Sequence, residues 1–350
     1  MGGINSLSRS LNHYSFQGKS GHNIDKLMVI VDEQHLSMLD KIMHQKKWGV
    51  QVVYILTDSP SVRVLFQHHS RIYPIRANIR SLLRHDIVDE IVCLTSSLPE
   101  TYFSELKSIS RQFGVSLLVQ PGVGFAGVSV SGSRFIGNFY FEVLETNPKN
   151  RIGFIVKSFT EIAMASITLF MLSPFLAITA LLIKLTSPGP VIFKQMRVGR
   201  RGRKFYIYKF RTMIVDAEKQ KASLINYNEA DGPAFKIEKD PRITRFGRFL
   251  RRTGFDEVPQ LYNVIRGEMS LIGPRPMLPD EVTAQQEWQL KRMCIKPGIT
   301  CTWQIQPNRN KVPFDQWMQL DRDYIENWSI TSDFKIFFYT IRSMFAARGY

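Results

Sequence analysis

Asp256 and Glu257 stand side by side between an arginine-dense run and a Gly273-Pro274-Arg275-Pro276 turn. Adjacent residues of a helix point about 100° apart, so two such carboxylates can divide their labour. One can attack or handle a proton while the other holds a metal ion. An unperturbed carboxylate is ionised at pH 7, so an aspartate nucleophile needs no base. Its difficulty is to approach an anionic phosphate. Arginines and Mg²⁺ relieve that by neutralising charge on the phosphate and the leaving group. The two prolines fix the backbone around Arg275 and aim its guanidinium, a fork-shaped donor that suits a phosphate. All seven histidines lie at or before His85. Chemistry beyond that point must run without Ser/His or Cys/His catalysis and without the usual zinc sites. Taken alone, the block reads as phosphate chemistry at a membrane, with a solvated acidic pair and a plain loop as the alternative.

The formal net charge of +16 and a pI near 9.8 call for an anionic partner. Nucleic acid, phosphorylated small molecules and acidic headgroups all qualify. Three cysteines, Cys93, Cys294 and Cys301, are too few for a disulfide framework and lack metal-site spacing, which points to a reducing cytosolic face. No signal peptide is read, and residues 1–24 are expected to form a loose polar tail.

The elements that must position the acids follow from periodicity. LMVIV (27–31), VQVVYIL (50–56), DEIVCL (89–94) and SLLVQP (116–121) predict strands, with helices over 33–47, 77–86 and 99–112. That rhythm is a parallel α/β sheet over 25–145. The first strand runs into VIVDEQHLSML, with no glycine where a dinucleotide fingerprint would need one. A docking or regulatory domain is the reading there, and Gly122-Val-Gly124 reads as a turn.

Residues 146–158 read as a basic linker. Residues 162–183 are uncharged and apolar on every face. As one straight helix they would reach about 33 Å, enough for a bilayer core of about 30 Å. Ser173-Pro174 lies at the centre, where proline removes a helical hydrogen bond and predicts a kink. Lys149, Arg151 and Lys157 flank one end; Lys184, Lys194, Arg197, Arg200 and Arg201 flank the other. The positive-inside rule puts both ends on the cytoplasmic side, which favours a re-entrant helix over a spanning one.

From Lys194 to Arg211 there are eight Lys or Arg and no acid, interleaved with Phe205, Tyr206, Tyr208 and Phe210. Nucleic acid, headgroup and solvated-face readings are all open, but the adjacent membrane segment favours anionic lipid and phosphate over nucleic acid. Gly199 and Gly202 predict a hairpin with FYIYKF as its returning strand. Arg242, Arg245, Arg248 and Arg251 recur three apart, a basic stripe for phosphate or for arginines snorkelling at a membrane surface. The stretch 334–347 predicts an amphipathic helix. Trp288, Trp303, Trp317 and Trp328 suit an interface or a core equally.

The residues SPGPVIFKQMRVGRRGRKFYIYKFRTM, DPRITRFGRFLRR, DEVPQLYNVIRGEMSLIGPRP, KPGIT and DYIENWS carry a resemblance. From about Lys157 to Ile341 the chain resembles the bacterial sugar transferase family, the monotopic polyprenyl-phosphate phosphoglycosyl transferases. The N-terminal region is similar to the Rossmann-like domain of the larger members, whose preceding transmembrane helices are not read here. The implied fold is α/β: a Rossmann-like parallel-sheet domain (25–145), a linker (146–158), a re-entrant kinked membrane helix (159–186), and a mainly helical α+β catalytic domain with amphipathic interfacial helices (187–350). The implied reaction moves a hexose-1-phosphate from a UDP-sugar to undecaprenyl phosphate and releases UMP, the first membrane step of exopolysaccharide, capsule or O-antigen assembly. By the resemblance, Asp256 is the nucleophile and Glu257 its partner, together placing Mg²⁺. Arg275 and Pro276 hold phosphate, Lys209 and Arg211 line the site, and Ser173-Pro174 breaks the helix. The implied location is the cytoplasmic face of the bacterial inner membrane. A homodimer is compatible with this, and a non-catalytic lipid-bound scaffold is the rival. Three departures stand out. Ser158 and Glu161 occupy places where an Arg and an Asp are common, Gly254-Phe255 replaces Ser-Leu, and CTWQIQPNR (301–309) replaces GLWQVSGR, which leaves glucose and galactose both open.

Overall fold

The computed structural model describes residues 24–345 apart from Ser70, Ser97, Lys236, Glu238 and the segments 122–129, 145–150, 230–234, 285–286 and 307–311. The Gly122-Val-Gly124 turn, the polar tail up to residue 23, and the end of the CTWQIQPNR segment fall outside them. The chain divides into two compact units, Met1–Thr146 and Asn147–Tyr350. The three cysteines are buried and unbonded.

In the first unit, β1 (Asp25–Val31), β2 (Val50–Leu56), β3 (Ile72–Tyr73), β4 (Glu90–Leu94) and β5 (Ser116–Val119) pair in parallel. Helices α1 (Leu36–His44), α2 (Pro60–Leu65), α3 (Ile79–His85) and α4 (Glu100–Phe113) lie between them in sequence. The apolar runs are continuous because these strands are covered on both faces; Leu27, Val29, Ile55 and Leu94 are fully buried. The sheet is nevertheless mixed. β6 (Val130–Ile136) and β7 (Phe139–Leu144) add an antiparallel hairpin, giving the order β3-β2-β1-β4-β5-β7-β6. This corrects the purely parallel expectation. β6 is a half-exposed edge strand reading VSGSRFI, so its pattern carries little apolar signal. Its turn needs Gly137 at φ +57°, where a Cβ would fall 2.1 Å from the Trp48 ring. At the strand-order switch between β1 and β4, Asp32 accepts the backbone N–H groups of His35 and Ser96.

The second unit begins with α5 (Arg151–Thr186), so residues 151–158 are helical rather than linker. Within it, Gly153–Thr186 contains an 18-residue window with a mean hydropathy of 2.2, and this is the one helix among the described residues long and apolar enough to cross a membrane. Pro174 lies inside it. Proline leaves the carbonyl four residues back without its helical donor, and the Ser173 hydroxyl supplies one to the Phe170 carbonyl at 2.7 Å. The middle is bare, with Phe170, Met171 and Phe175 all strongly exposed, whereas both arms pack on this same unit. Ala165 joins the core with Phe205 and Val264, and Ile183 joins Phe210 and Leu250.

Lys157 and Glu161 anchor the first arm. The Lys157 ammonium contacts Asp333 at 2.6 Å and Glu161 at 2.9 Å, and donates to the Ile272 carbonyl at 3.0 Å. Glu161 accepts the Ser270 hydroxyl and the Ile272 N–H. Lys157, counted among the basic residues that flank the apolar run, is thus a buried lock. Glu161 performs the anchoring for which an Arg and an Asp were the expected pattern.

The remaining elements are β8 (Ile192–Val198), β9 (Lys204–Phe210), α6 (Arg245–Thr253), α7 (Leu261–Ile265), β10 (Ser270–Ile272), α8 (Pro279–Ala284), β11 (Gly298–Thr300), α9 (Phe314–Glu326) and α10 (Ile330–Phe345). The first two form the expected antiparallel hairpin, turned by Arg201 and Gly202 at positive φ.

Candidate active site

The dyad is placed by how α6 ends. Gly254 takes the left-handed conformation at φ +70°, which glycine adopts without steric cost. A 3-10 segment, Phe255–Gln260, then carries Asp256 and Glu257 in its first turn. Phe255 stacks on Phe210 with ring planes 5° apart, tying this segment to the end of β9. Asn263 completes the junction as a strand mimic. Its Oδ1 accepts from Tyr208 N at 3.3 Å and its Nδ2 donates to the Tyr206 carbonyl at 2.7 Å. Alternation along β9 then brings Lys209 to the dyad, where its ammonium pairs with Glu257 Oε1.

The two carboxylates have opposite electrostatics. Asp256 is 8% exposed. Burial and the adjacent Glu257 charge push its carboxyl up to about 6, against the pull of Lys209 and Arg251. Burial also raises Glu257, but the Lys209 ammonium, with help from Arg275 and Arg197, holds it below its usual value. Glu257 therefore stays charged while Asp256 is a destabilised anion, desolvated and still largely ionised at neutral pH. Among the described residues no three His, Cys, Asp or Glu side chains converge as a metal cluster. A divalent ion at the dyad would draw its other ligands from phosphate oxygens and water, the usual arrangement for Mg²⁺.

The Gly-Pro-Arg-Pro turn is held carbonyl by carbonyl. Pro274 O accepts from Gly298 N at 2.9 Å, and Arg275 O from Arg292 Nη2 at 2.8 Å. Pro276 O accepts from Arg197 Nη1 at 3.1 Å, and Met277 O from Val198 N at 2.8 Å. Gly273 and Gly298 let β10 and β11 close on each other, since a Cβ on Gly298 would lie 2.1 Å from Gly273 N. Arg275 itself is half-buried.

The arginines separate into two sets that sequence alone did not distinguish. Arg242 is buried in an ion pair with Asp240 at 2.6 Å and caps the Ala217 carbonyl, so it does not belong to the basic stripe. Arg251 turns inward, its Nε on Thr212 Oγ1 at 2.9 Å. Arg245, Arg248 and Arg252 stay exposed beside Phe249. Arg197 is buried against the turn, outside any solvated basic face.

Arg211 is 8% exposed, and its Nη2 donates to the Ser187 carbonyl and hydroxyl at the exit of α5. Its Nε and Nη1 find no partner among the described residues. The structure thus joins Lys209, Asp256, Glu257 and Arg275 electrostatically and places Arg211 at the helix exit. Gly247 lets α6 approach this strand end: a Cβ there would lie 2.1 Å from the Thr212 carbonyl oxygen.

Asn263, Arg197, Arg292, Lys157 and Glu161 escaped the sequence reading in these roles. The signal available was a polar side chain inside an apolar stretch, as at Asn263 in LYNVI. Trp303 and Trp317 stack on each other, and Trp328 packs on Phe154 with ring planes tilted by 35° and donates to Asp333, which places these tryptophans in packing roles.

Comparison with known proteins places the second unit in a family. A family profile described as bacterial sugar transferase matches residues 152–347. The galactosyl transferase CpsE of Streptococcus agalactiae is 49% identical over 161 residues, 46% of this chain and 36% of that protein. The exopolysaccharide production protein ExoY of Rhizobium meliloti is 34% identical over 63% of this chain and 98% of its own length. The undecaprenyl-phosphate galactose phosphotransferase of Salmonella typhimurium is 33% identical over 73% of this chain and 54% of its own length. The chain thus spans about a third of the first of these relatives, about half of the third, and nearly all of ExoY. A match through most of the second unit, over the residues that build the dyad, the turn and the apolar helix, shows that this chain belongs to the bacterial sugar transferase family.

Proposed function

We propose that the chain transfers a hexose-1-phosphate from a UDP-sugar to undecaprenyl phosphate in two displacements. The carrying observation is the buried Asp256 carboxylate, pushed up to about 6 yet flanked by Lys209 and Arg251. Asp256 attacks the sugar-bearing phosphorus of the donor. The bridging P–O bond breaks, UMP leaves with the bridging oxygen, and an aspartyl phosphosugar forms. An oxygen of the lipid phosphate then attacks the same phosphorus and frees the carboxylate. Lys209 and Glu257 keep the charge beside the nucleophile balanced, and Arg275 grips the donor phosphate from its rigid turn. Arg211, with two donors at the helix exit unpaired among the described residues, suits a phosphate oxygen. Asp256 and Glu257 would hold Mg²⁺, which supplies charge neutralisation at the phosphates when bound. Relatives named as undecaprenyl-phosphate galactose and glucose phosphotransferases support the acceptor and leave both sugars in play.

The apolar helix would enter the cytoplasmic leaflet of the inner membrane and return, because both its arms pack on the one unit while its middle is bare. Cysteine tags on either side of residues 162–183 should both resist a periplasmic reagent in intact cells. Labelling of either restores the spanning reading.

The test of function is UMP release from UDP-galactose or UDP-glucose, with a phosphosugar adduct trapped on Asp256 when lipid acceptor is withheld. Liposome binding without UMP release from either donor would establish the scaffold reading instead. Normal turnover by Asp256→Asn would remove the covalent mechanism.

A further inference from the structure

Of the four donors that hold the Gly-Pro-Arg-Pro turn, two are backbone N–H groups fixed by strand pairing. The Arg292 guanidinium is one of two side chains in the set, and it is oriented by a residue from a distant helix. Its Nε lies 2.9 Å from Asp321 Oδ2, its Nη2 donates to the Arg275 carbonyl at 2.8 Å, and its Nη1 rests on Met318 Sδ at 3.3 Å. Asp321, on α9, is fully buried, and Arg292 is 8% exposed. A buried ion pair adds little net stability, because desolvating both charges offsets most of their attraction. Its geometric effect here is specific: it clamps the peptide that carries Arg275. The charges agree with that role. Arg275 acts electrostatically on both Glu257 and Asp321, so its guanidinium is within reach of the dyad and of the buried aspartate. Arg292 acts on the same Asp321 carboxylate. Without that anion, Arg292 and Arg275 would lose the counter-charge that both of them face, which favours a shift of the Arg275 peptide.

We propose that Asp321, acting through Arg292, is a positioning residue that sets Arg275 for the donor phosphate. Neither Asp321 nor Arg292 touches substrate. The inference rests on the transferase reading above, in which Arg275 grips the donor. A misplacement of about 1 Å at a group that holds substrate can cost on the order of a hundredfold in rate. Replacing Asp321 with Asn keeps the volume and removes the charge. We expect it to lower kcat/KM for the donor about tenfold or more through KM, with the KM for undecaprenyl phosphate unmoved.

The experiment measures UMP release by the full chain in detergent, for wild type, Asp321→Asn, Arg275→Ala and the double variant. If Asp321 works through Arg275, the double variant matches Arg275→Ala alone, because removing the positioned group removes the benefit of positioning it. Effects that multiply, or an Asp321→Asn variant with wild-type donor KM, overturn the inference while leaving the transferase reading intact. Wild type that releases no UMP from UDP-galactose or UDP-glucose, or Arg275→Ala with wild-type kinetics, overturns the reading on which it rests and the inference with it. Should Asp321→Asn not accumulate as folded protein, Arg292→Lys replaces it in the cycle. Lysine keeps a charge beside Asp321 but lacks the fork that spans from Asp321 to the Arg275 carbonyl.

Discussion

Replacing Asp256 with Asn is expected to abolish turnover and yet stabilise the fold near neutral pH. In the native state burial and the Glu257 charge push the Asp256 carboxyl from an ordinary 3.8 to about 6. Between those values the native protein binds the proton more tightly than the unfolded chain, so stability falls as pH rises through the window. Each tenfold difference in proton affinity corresponds to about 1.4 kcal/mol, so the ionised Asp256 costs on the order of 3 kcal/mol once pH exceeds the native value. Asparagine has the same shape and no charge, and it also relieves Glu257 of a like-charged neighbour. Thermal unfolding of the detergent-solubilised protein should therefore show a higher Tm for Asp256→Asn at about pH 7.5, by several degrees for a domain of this size. The gap should close toward about pH 4, where Asp256 is protonated in the native state and half-protonated in the unfolded chain. A gap of the same size at both pH values would refute the electrostatic origin. A variant less stable than wild type at about pH 7.5 would refute the view that Asp256 is held at a cost to folding.

The pH profile of UMP release should show an acidic limb near 6, and Lys209→Met should move that limb upward, since Lys209 pulls both carboxylates down; an unmoved limb would separate Lys209 from the dyad. Gly247→Ala sets a Cβ against the Thr212 backbone and should cost about 1–3 kcal/mol or more by overpacking, read as a lowered Tm. Lys157→Met leaves Asp333 and Glu161 buried without their ammonium and should cost about 3–5 kcal/mol, seen as rapid proteolysis of the second unit.

The two halves of the pair at 256 and 257 show how one local sequence yields two different groups. Both are carboxylates in the first turn of one 3-10 segment, where successive side chains point about 120° apart. That divergence puts Glu257 against Lys209 and leaves Asp256 in the desolvated interior. The same rotation gives the two carboxyls different surroundings.

Much of this molecule is legible in the chain itself. Strands β1, β2, β4 and β5, the 3.6-residue patterns between them, the uncharged helix with its central Ser-Pro, and the dyad beside a rigid Arg275 follow from short-range pattern, because local periodicity encodes local burial. The edge hairpin β6–β7 does not, since a half-exposed strand carries little apolar alternation. Nor can a sequence sort its arginines. Arg242, Arg251, Arg292 and Arg211 are the same side chain as the exposed Arg245 and Arg248, and only their three-dimensional partners make them inward-facing struts. Partners of this kind lie far along the chain: Lys157 meets Asp333 across 176 residues, and Ser270 meets Glu161 across 109. Residue type and spacing determined what chemistry this protein can carry. Long-range packing alone decided which charges gather at the dyad and which hold the scaffold, because desolvation and pairing are set by neighbours that no local window contains.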